Sequence, residues 1–426
     1  MAKKKQDLTP EERLAAALVP EEKWPYALPE GWKWVYLNGI IDVSKEKTEE
    51  FPPNTKYVGL ENIEKDTGRM QAVNAEGIRS TKNIFESGNI LYGKLRPYLN
   101  KHSIAGFDGV CSTDILVFQT APSVEKELLN RYFDLPQFIS FAVSHSKGIN
   151  LPRVSAKEIL TARMPLPPLS EQRRLVARIE SLFAKLDAAR EKVQFVLDSH
   201  ETRKAALLHD AFTGKLTAKW REEQGLPEKI YKTVPLNQVC DSIFDGDHMP
   251  PPKSNSGIPF LVIANVNKGK LNFTGTRFVP QDYYESLTDT RKPQNGDVLY
   301  TLVGTYGIPV LVDTDEKFCF QRHMALLKPN KSSILQKYLW YTLQEKDFYQ
   351  KATKIAKGTA QLTVPIKGLR QLTIPLPSLP EQQEIVRILG RLLAREQRAR
   401  QAAEETLAAI DRMKQSILAR AFRGEL

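Results

Sequence analysis

Apolar residues recur at alternating spacings of four and three positions in two long stretches of the chain. Such a pattern, held over several heptads, predicts α-helices that pack against a partner along a coiled-coil seam. Neither helix could bury its stripe alone, so the pattern predicts that two helices of about 40 residues, each about 60 Å long, pair with one another. The predicted seam residues are Leu175, Ile179, Leu182, Leu186, Val193 and Val196 in the first stretch and Ile385, Leu389, Leu392, Ile410, Met413 and Ile417 in the second.

Polar residues interrupt the seam in both stretches. His200 and Arg203 stand at seam positions in the first, and Glu396 and Thr406 do so in the second. A helix that packs only on its own globular domain would also show an apolar stripe, so that alternative stays open. The presence of two copies of the stripe favours pairing of the helices.

Both helices have sequence signals at their ends. Ser170 is a suitable N-cap for the first helix, and Ser378 with Glu381 fits a capping box for the second. Gly214 and Gly424 stand where a helix takes a left-handed C-cap. A Pro-Leu-Pro sequence precedes each helix, and we expect it to form a hinge.

One passage occurs twice in the chain at a constant offset of 210 positions. The first copy runs from Lys147 to Leu216 and the second from Lys357 to Leu426. Both copies contain Pro-Leu-Pro, then Glu-Gln, and both end in Ala-Phe-x-Gly-x-Leu. A long internal duplication indicates a protein with two similar halves, and therefore a target with two parts.

The segment before each Pro-Leu-Pro is rich in strand signals, with turn residues between short apolar runs. The two segments share Gly-x-x-Leu-Tyr at residues 88–92 and 296–300 but otherwise diverge, which suggests like scaffolds for unlike ligands. We therefore predict an α+β fold: two similar mixed α/β domains separated by two long antiparallel coiled-coil spacer helices, with pseudo-twofold symmetry. The predicted strands include residues 57–60, 89–92 and 115–118 in the first half and residues 260–263, 297–300 and 309–312 in the second.

The composition narrows the classes of partner. The 426-residue chain has a formal net charge of +11, which favours a polyanionic partner because lysine and arginine displace counterions from phosphates. Cys111, Cys240 and Cys319 are too few and too far apart for a disulfide framework, and they indicate a reducing compartment. The apolar runs are too short for a signal peptide or a membrane span. We therefore expect a cytoplasmic protein.

Sequence motifs for catalysis are missing. Residues 88–94 resemble a phosphate-binding loop, but Leu95 occupies the position that needs Ser or Thr for magnesium. The densest group of ligand-type residues consists of Cys240, Asp241, Asp245, Asp247 and His248. A tight turn explains that group better than a metal site, because a second anchor pair is missing. We therefore predict no catalytic, cofactor or metal site in this chain.

Basic residues lie close to aromatic ones in both divergent segments. Such residue types make phosphate contacts and read base edges in DNA complexes. For each single residue, a solvated charged loop is the alternative. The candidate DNA-contacting residues are Lys94, Arg96, Tyr98, Lys101, His102 and Lys147 in the first half and Asp247, His248, Arg291, Lys292, Arg322, His323 and Lys357 in the second.

Together these motifs resemble the specificity (S) subunit of type I restriction-modification systems. The resemblance is carried by Pro-Leu-Pro-x-x-x-Glu-Gln, which ends at Gln172 and Gln382, and by the Ala-Phe-x-Gly-x-Leu sequences. Residues 28–32 and 243–250 also look like the starts of that family's recognition domains. The resemblance extends over essentially the whole chain, and its twofold occurrence makes it specific.

This resemblance implies two target recognition domains, each of which reads one half of a split, asymmetric sequence in double-stranded DNA. The helices would hold the domains at a fixed spacing, and the chain itself would have no enzymatic activity. Two methyltransferase (M) subunits would bind it to form an adenine-N6 methylase, and restriction (R) subunits would join through that core. S-adenosylmethionine, ATP and Mg are then expected only on partner subunits, in the cytoplasm of a bacterium or archaeon.

The rival function is a non-catalytic coiled-coil adaptor that binds proteins and lacks DNA specificity. For residues 1–27, which include a predicted capped helix from Leu8 to Arg13, partner docking and end-to-end closure are both open. The predicted segments are an N-terminal extension at 1–27, target recognition domains at 28–164 and 217–374, a central spacer helix at 165–216 and a C-terminal spacer helix at 375–426.

Overall fold

A computed structural model describes residues 8–65, 67–227, 231–248 and 251–426. The strands of the first half are β1 (Lys33–Tyr36), β2 (Ile41–Val43), β3 (Lys47–Thr48), β4 (Lys56–Val58), β5 (Val73–Asn74), β6 (Lys82–Phe85), β7 (Ile90–Gly93), β8 (His102–Ile104), β9 (Gly109–Cys111), β10 (Ile115–Thr120) and β11 (Arg163–Leu166). Those of the second half are β12 (Lys232–Pro235), β13 (Cys240–Asp245), β14 (Ile258–Leu261), β15 (Arg277–Val279), β16 (Val298–Thr301), β17 (Pro309–Leu311), β18 (Cys319–Phe320), β19 (Met324–Pro329) and β20 (Thr373–Leu376). All six strands predicted from the sequence overlap strands of the structure.

The α-helices include short ones within each half and long ones in the predicted spacer regions. They are α1 (Pro10–Ala16), α2 (Lys126–Tyr132), α3 (Pro136–Ser144), α4 (Ala156–Ile159), α5 (Leu169–Asp198), α6 (His200–Phe212), α7 (Ala218–Glu223), α8 (Gln281–Ser286), α9 (Gln336–Thr342), α10 (Lys346–Ile355), α11 (Ile366–Gln371) and α12 (Leu379–Ala421). In the part of the chain that is described, no helix is both long and apolar enough to cross a membrane.

The chain divides into two compact units. The first combines Met1–Gln194 with Glu405–Leu426, and the second is Phe195–Glu404. Each unit therefore contains one of the two strand-rich segments together with one end of both spacer regions. The units cut across the predicted spacer segments because the ends of the long helices pack on the strand-rich segments.

Both units repeat one sheet topology. In the first unit a four-stranded sheet has the order β2-β10-β7-β8, and in the second the order β13-β19-β16-β17 repeats it strand for strand. A parallel pair of strands also recurs, as β4 with β9 and as β14 with β18. The duplication seen weakly in the sequence thus extends through the divergent segments, where little more than the burial pattern is shared.

The first two residues of each predicted Pro-Leu-Pro hinge belong to a strand in the structure. β11 pairs with β1, with Pro165 opposite Trp34, and β20 pairs with β12 in the same antiparallel way. Proline is tolerated here because each sheet has only two strands, so a prolyl nitrogen can face away from the ladder. Each spacer helix therefore starts directly after a strand that is tied to the beginning of its domain.

A buried glutamine anchors the first spacer helix to its domain. Gln172 is 1% exposed. Its Nε2 donates to the carbonyl oxygens of Ser123 at 3.0 Å and Pro167 at 2.9 Å, and its Oε1 accepts from the backbone N–H of Glu125 at 2.8 Å. The side chain thus joins the strand before the helix to the loop that leads into α2.

The second unit repeats this arrangement with Gln382, which is fully buried. Its Nε2 donates to the carbonyls of Ser333 and Pro377, both at 3.0 Å, and its Oε1 accepts from the N–H of Leu335 at 2.9 Å. The fixed spacing between Pro-Leu-Pro and Gln in the sequence therefore reflects a side chain that folds back on the carbonyl of the last proline.

The glutamate of the Glu-Gln pair has different surroundings in the two units. Glu171 is partly exposed and pairs with Arg174 at 2.7 Å. Glu381 is buried, and its carboxylate accepts from Arg221 at 2.5 Å and from the hydroxyl of Thr217 at 2.7 Å. In the second unit this ion pair holds the segment after α6 against the start of α12.

The base of each spacer helix is part of a domain core. Leu175 and Ile179 are fully buried in the first unit, in one cluster with Phe422 from the end of α12. Ile385 and Leu389 are fully buried in the second, in one cluster with Phe212 from the end of α6. The helices therefore pack both on a partner helix and on a globular domain. Both alternatives that the sequence left open are thus correct, each for a different part of the helix.

Contacts within each unit make the helix pairs antiparallel. In the first unit Arg174 donates to the carbonyl of Leu426 at 3.0 Å, while Lys414 donates to Asp187 at 2.5 Å. Residue numbers thus rise along α5 as they fall along α12, and the predicted antiparallel pairing is confirmed inside this unit.

Three of the four polar residues that interrupt the seam meet one another in the second unit. Arg203 donates from Nε to the Glu396 carboxylate at 2.7 Å, and Nδ1 of buried His200 lies 4.0 Å from the same carboxylate. These residues form one polar layer between the helices, which explains why both copies lose their apolar pattern.

The central spacer region is not one continuous helix, because α5 ends at Asp198 and α6 begins at His200. The Ser199 hydroxyl donates to the carbonyl of Phe195 at 2.6 Å, and the Arg203 guanidinium donates to the carbonyl of Val196 at 3.0 Å. The carbonyl of Phe195 also keeps its backbone partner, the N–H of Ser199 at 3.1 Å, whereas the carbonyl of Val196 is satisfied by the Arg203 side chain at the break.

Met413 was wrongly predicted as a seam residue, since it is 51% exposed. Lys414 takes the inward position instead, with its ammonium 5.0 Å from the centre of the Phe183 ring and paired with Asp187. Phe183 and Leu418 are buried although the heptad pattern passed over them. Leu182, Leu186, Val193, Val196, Leu392 and Ile417 are partly buried, and Ile410 is buried.

The predicted helix signals hold at the two C-terminal ends. Gly214 and Gly424 have positive φ angles of 78° and 75°, as the left-handed C-cap requires. Ser378 immediately precedes α12, but the carboxylate of Glu381, its predicted capping-box partner, accepts from Arg221 and Thr217 instead. Ser170 lies inside α5, which begins one residue earlier, so its N-cap role is corrected.

The described part of the N-terminal extension packs on the first unit. The predicted capped helix is α1, and Thr9 and Glu12 form a capping box at its start. The Tyr26 hydroxyl donates to the carbonyl of Phe422 at 2.9 Å, and the Arg423 guanidinium lies 5.7 Å from the Tyr26 ring centre. Residues 1–7 lie outside the described residues. The extension thus contacts the end of α12 in the same unit.

We expect replacement of Gln382 by Ala to lower the free energy of unfolding by about 2–3 kcal/mol. A buried polar group that loses its partner costs about 1–3 kcal/mol, and this change leaves two carbonyls and one N–H without theirs. Urea denaturation followed by circular dichroism measures the effect. The exposed Gln71 provides the control, since Gln71→Ala should leave the midpoint unchanged. Equal midpoints for the two variants would refute the anchoring role.

Candidate nucleic-acid interface

A surface hairpin lies beside the first group of candidate residues. Lys147 and Arg153 exchange both backbone hydrogen bonds at 2.9 Å and close the hairpin of residues 147–153. The N–H of Arg96 donates to the carbonyl of Pro152 at 2.7 Å, and the N–H of Val154 donates to that of Lys94 at 3.0 Å. The structure thus brings Lys94, Arg96 and Lys147 together, although they are far apart in sequence.

Most cations of this surface are accessible. Arg96, Lys147 and Arg153 are exposed, and Tyr98 is 48% exposed. Arg153 lies 3.1 Å from the Asp114 carboxylate and Lys94 lies 3.8 Å from it, so one carboxylate partly neutralises two basic side chains. Exposed ion pairs of this kind are weak, and a phosphate could replace the carboxylate as partner.

Lys101 and His102 do not belong to that surface. Lys101 donates from Nζ to the carbonyl of Leu60 at 2.7 Å. His102 is 2% exposed, and its ring nitrogens lie 2.8 Å from Oδ1 of Asn130 and 3.1 Å from Oδ1 of Asp134. The assignment of His102 to a DNA-contacting surface is therefore corrected, because its side chain is buried within the domain.

Asp134 belongs to the same buried network. Burial alone would raise the pKa of its carboxyl group, but the hydrogen bond from His102 and the nearby Arg131 guanidinium outweigh that effect and hold the pKa below its usual range. The network of His102, Asn130 and Asp134 therefore stabilises the domain.

The second unit contains a hairpin with the same backbone. Lys357 and Thr363 exchange backbone hydrogen bonds at 2.8 and 2.9 Å and close residues 357–363. The N–H of Gly304 donates to the carbonyl of Leu362 at 3.0 Å. The loop after β16 thus supports this hairpin as the loop after β7 supports the first, and Lys357 is exposed like Lys147.

Asp247 and three further candidates of the second half form a group, in which Asp247 makes an isolated β-bridge with Gln321, the residue before Arg322. The Tyr283 hydroxyl donates to the Asp247 carboxylate at 3.1 Å, and the Arg291 guanidinium lies 3.9 Å from it. Burial, with the negative charge of Asp247, raises the pKa of Tyr283 to about 12. The candidates of this group are Asp247, His248, Arg291 and Arg322. The family-like turn at residues 243–250 includes Met249 and Pro250, which lie outside the described residues.

His248 is exposed, and its Nε2 lies 2.9 Å from Asp245. His323 is partly buried, and its carbonyl accepts from the N–H of Leu302 at 2.8 Å, beside the second hairpin. Burial and the neighbouring Arg322 lower the pKa of His323, which favours its neutral form. These residues can offer hydrogen bonds at the surface, and their contact with DNA stays a prediction.

The ammonium group of the candidate Lys292 makes contacts within its own domain. Its Nζ donates to the carbonyl of Glu285 at 3.1 Å and lies 5.5 Å from the ring centre of Tyr284. Its own carbonyl accepts from Lys328 at 2.9 Å. Lys292 thus ties α8 to the sheet, and it is less available to a phosphate than Lys147 or Lys357.

The acidic group near Cys240 is dispersed in the structure. Asp241 accepts from Asn330 at 2.8 Å, whereas Asp245 pairs with His248. Among the described residues, no three His, Cys, Asp or Glu side chains are grouped closely enough to hold a metal ion. Burial raises the pKa of each thiol to about 12, for Cys111, Cys240 and Cys319 alike.

Sequence reasoning missed the residues at the tips of the hairpins. Ile149 is fully exposed and Leu151 is 45% exposed, beside the basic residues of the first unit. The available signal was the repeated Lys-Gly at residues 147–148 and 357–358, after which the copies differ until the shared Val at 154 and 364. A stretch that differs between two conserved anchors indicates a loop in which the backbone is kept and the ligand changes.

Comparison with known families agrees with this organisation. The family described as "Type I restriction modification DNA specificity domain" matches residues 29–194 and 228–405. The protein is thus built from two DNA specificity domains. Because the two matches cover more than half of the chain, it belongs to the type I restriction-modification specificity family, and the resemblance seen in the sequence is confirmed.

Individual relatives are similar over different lengths. The specificity subunit of type I restriction enzyme EcoDI from Escherichia coli is 34% identical over 201 residues, which are 46% of this chain and 45% of that protein. The EcoBI specificity subunit from Escherichia coli is 26% identical over 348 residues, 76% of this chain and 73% of that one. The chain thus spans about half the length of the EcoDI relative.

Solved structures share the fold. The HsdS subunit from Thermoanaerobacter tengcongensis is 25% identical, with a TM-score of 0.61 over 94% of this chain and 99% of that one. A chain from a structure on complex assembly and conformational transition of the type I R-M system is 24% identical, with a TM-score of 0.77 over 94% and 100%. The predicted two-domain fold with long spacer helices is therefore confirmed.

We expect His102→Ala to destabilise the first unit by about 1–3 kcal/mol, because Asn130 and Asp134 lose a buried partner. The variant that remains folded should keep its affinity for DNA. Urea denaturation and fluorescence anisotropy with a labelled duplex measure the two quantities. Lys147→Ala, at an exposed position, should show the reverse: unchanged stability and weaker binding. A loss of affinity in His102→Ala without a loss of stability would contradict the assignment.

Proposed function

We propose that this chain is the DNA sequence-specificity subunit of a type I restriction-modification complex, in which each domain reads one half of a bipartite, asymmetric DNA target. The observation that carries this proposal is the twofold match of a DNA specificity domain, one match for each of two units with the same topology. Two like scaffolds with different surfaces suit a target with two different halves.

The electrostatics of the described surfaces agree with a DNA partner. The net charge is +11, and the exposed basic residues beside the two hairpins include Arg96, Lys147 and Lys357. Cations at such positions contact phosphates and set the register on the duplex, whereas neighbouring side chains read the base edges. A protein-binding adaptor would need neither the charge nor two specificity domains.

Partners supply the chemistry in this proposal. Two methyltransferase subunits bind the chain, and restriction subunits join through that core, in the cytoplasm of a bacterium or archaeon. S-adenosylmethionine, ATP and Mg act on those subunits. The chain itself contributes the choice of sequence and a scaffold, and it has no enzymatic activity of its own.

The spacer helices set the gap between the half-sites in this proposal. In each unit, antiparallel helix ends pack into the core of one recognition domain, and a buried glutamine fixes where a helix leaves that domain. A helix rises about 1.5 Å per residue, so its length fixes a distance. Two recognition elements can then enter the major groove about one helical turn apart, as in dimeric DNA readers.

We expect coexpression with its methyltransferase subunits to place N6-methyladenine within one bipartite sequence across a host genome. Long-read sequencing of modified bases gives both half-sites and the gap together. Purified complex should also lose affinity for that sequence steeply with salt, because each phosphate contact contributes about −0.9 to the slope of log K against log salt. The adaptor function predicts no methylated motif and a flat salt dependence.

An insertion of four residues into the spacer, between residues 194 and 195, should lengthen the unspecified gap and leave both half-sites unchanged. About four residues add one helical turn, so the helix continues in the same phase. The methylated motif of the host genome again gives the result. A four-residue insertion in the exposed turn at residues 76–77 provides the control and should leave the gap as it was. Altered bases at a constant gap would contradict the role of the spacer.

A further inference from the structure

We propose that the hairpins at residues 147–153 and 357–363 are the elements that enter the DNA grooves, and that the side chains at their tips choose the bases. This inference rests on the function proposed above and deepens it. The tip residues are Ile149 and Leu151 in the first unit and Thr359 and Gln361 in the second.

The two hairpins have one backbone. Each begins with Lys-Gly, and the glycines have positive φ angles of 104° at Gly148 and 117° at Gly358. A Cβ atom at either glycine would press on a carbonyl oxygen across the hairpin, of Leu151 or of Gln361. Glycine is therefore required in both hairpins, and the tip residues after it stand in equivalent positions.

The tip of the first hairpin is apolar and surrounded by cations. The side chain of Ile149 is 100% exposed and that of Leu151 is 45% exposed. Large aliphatic side chains gain free energy when they leave water, so such a tip is suited to a partner. Three exposed basic residues surround this tip: Arg96, Lys147 and Arg153. A partner protein with only an apolar groove would offer these cations no negative charge, so it fits this surface poorly.

A DNA groove complements both the apolar tip and the basic residues around it. Phosphates line the groove and attract the cations at the base of the hairpin. Thymine methyl groups in the major groove offer apolar surface to aliphatic side chains. The first hairpin therefore fits a duplex with thymine in the half-site that it reads.

The second hairpin has polar tips on the same frame. Thr359 and Gln361 are exposed, and they replace the aliphatic Ile149 and Leu151 at the repeat offset. A glutamine amide can donate to and accept from the major-groove edge of adenine, and threonine can contact either type of pair. Lys147 and Lys357, which are the same in both units, then contact phosphates. Shared lysines hold the duplex and unlike tips read unlike half-sites.

The test uses the complex with its methyltransferase subunits and sequencing of N6-methyladenine in the host genome. The variant Ile149→Ala with Leu151→Ala should reduce discrimination by about tenfold at one or two positions of the first half-site only. Thr359→Ala with Gln361→Ala should do the same for the second half-site only. Lys147→Ala should reduce methylation at all sites to a similar extent without changing the preferred bases.

Two further variants keep the result interpretable. Val73→Ala truncates an apolar side chain of β5 that is 47% exposed, and it should leave the motif unchanged. The triple variant Ile149→Thr, Asn150→Ala and Leu151→Gln transfers the second tip to the first frame, which keeps the glycine and the closing hydrogen bonds. It should change the first half-site and leave the second unchanged, even if the alanine variant assembles poorly.

The outcomes separate the two proposals. If the unaltered complex methylates no bipartite motif, the proposed function fails. If it methylates one, but all tip variants retain the discrimination of the unaltered complex at both half-sites, only the role of the hairpins is overturned. A change in both half-sites from one tip would likewise overturn it.

Discussion

The structure depends first on the hydrogen bonds of two buried glutamines. Gln172 and Gln382 each join the proline that follows a strand, the loop before a domain helix and the first turn of a spacer helix. A flexible junction at that point would let the helix pivot, and a small rotation there would move its far end by many ångströms. Because the amide satisfies three backbone groups in a site without water access, the direction of the helix is fixed by the domain fold itself.

In the recognition mode proposed above, the surfaces that read DNA are far simpler than the scaffold that holds them. Each hairpin is a few residues on a frame closed by two backbone hydrogen bonds, supported by a loop that follows a fully buried strand, β7 or β16. The frame is repeated while the side chains at its tip differ. Under that proposal, stability and specificity depend on different residues, so that a change in one need not weaken the other.

Periodicity and turn chemistry sufficed for much of the fold. The heptad stripe located both spacer helices, and Gly214 and Gly424 marked their ends, since these signals depend on local geometry. Burial of long-range partners could not be predicted in this way. His102 is polar and lies among lysines in sequence, but Asn130 and Asp134 become its partners only in the folded domain. Likewise Lys414 takes the seam position instead of Met413. Its ammonium group forms an ion pair with Asp187 and lies over the ring of Phe183, and both partners belong to another helix. The strands that end in Pro-Leu were missed since their ladders pair residues that are far apart in sequence, such as Tyr36 with Arg163 and Pro235 with Thr373.

The polar layer of His200, Arg203 and Glu396 has a consequence for how accurately the spacer is aligned. If one helix slipped past the other by a turn, the Glu396 carboxylate and the Arg203 guanidinium would be separated, and each would lose its partner of opposite charge. A purely aliphatic seam tolerates such slippage far better, since one leucine replaces another. The polar layer therefore fixes the register of the two helices: it favours one alignment over those that are shifted by a turn.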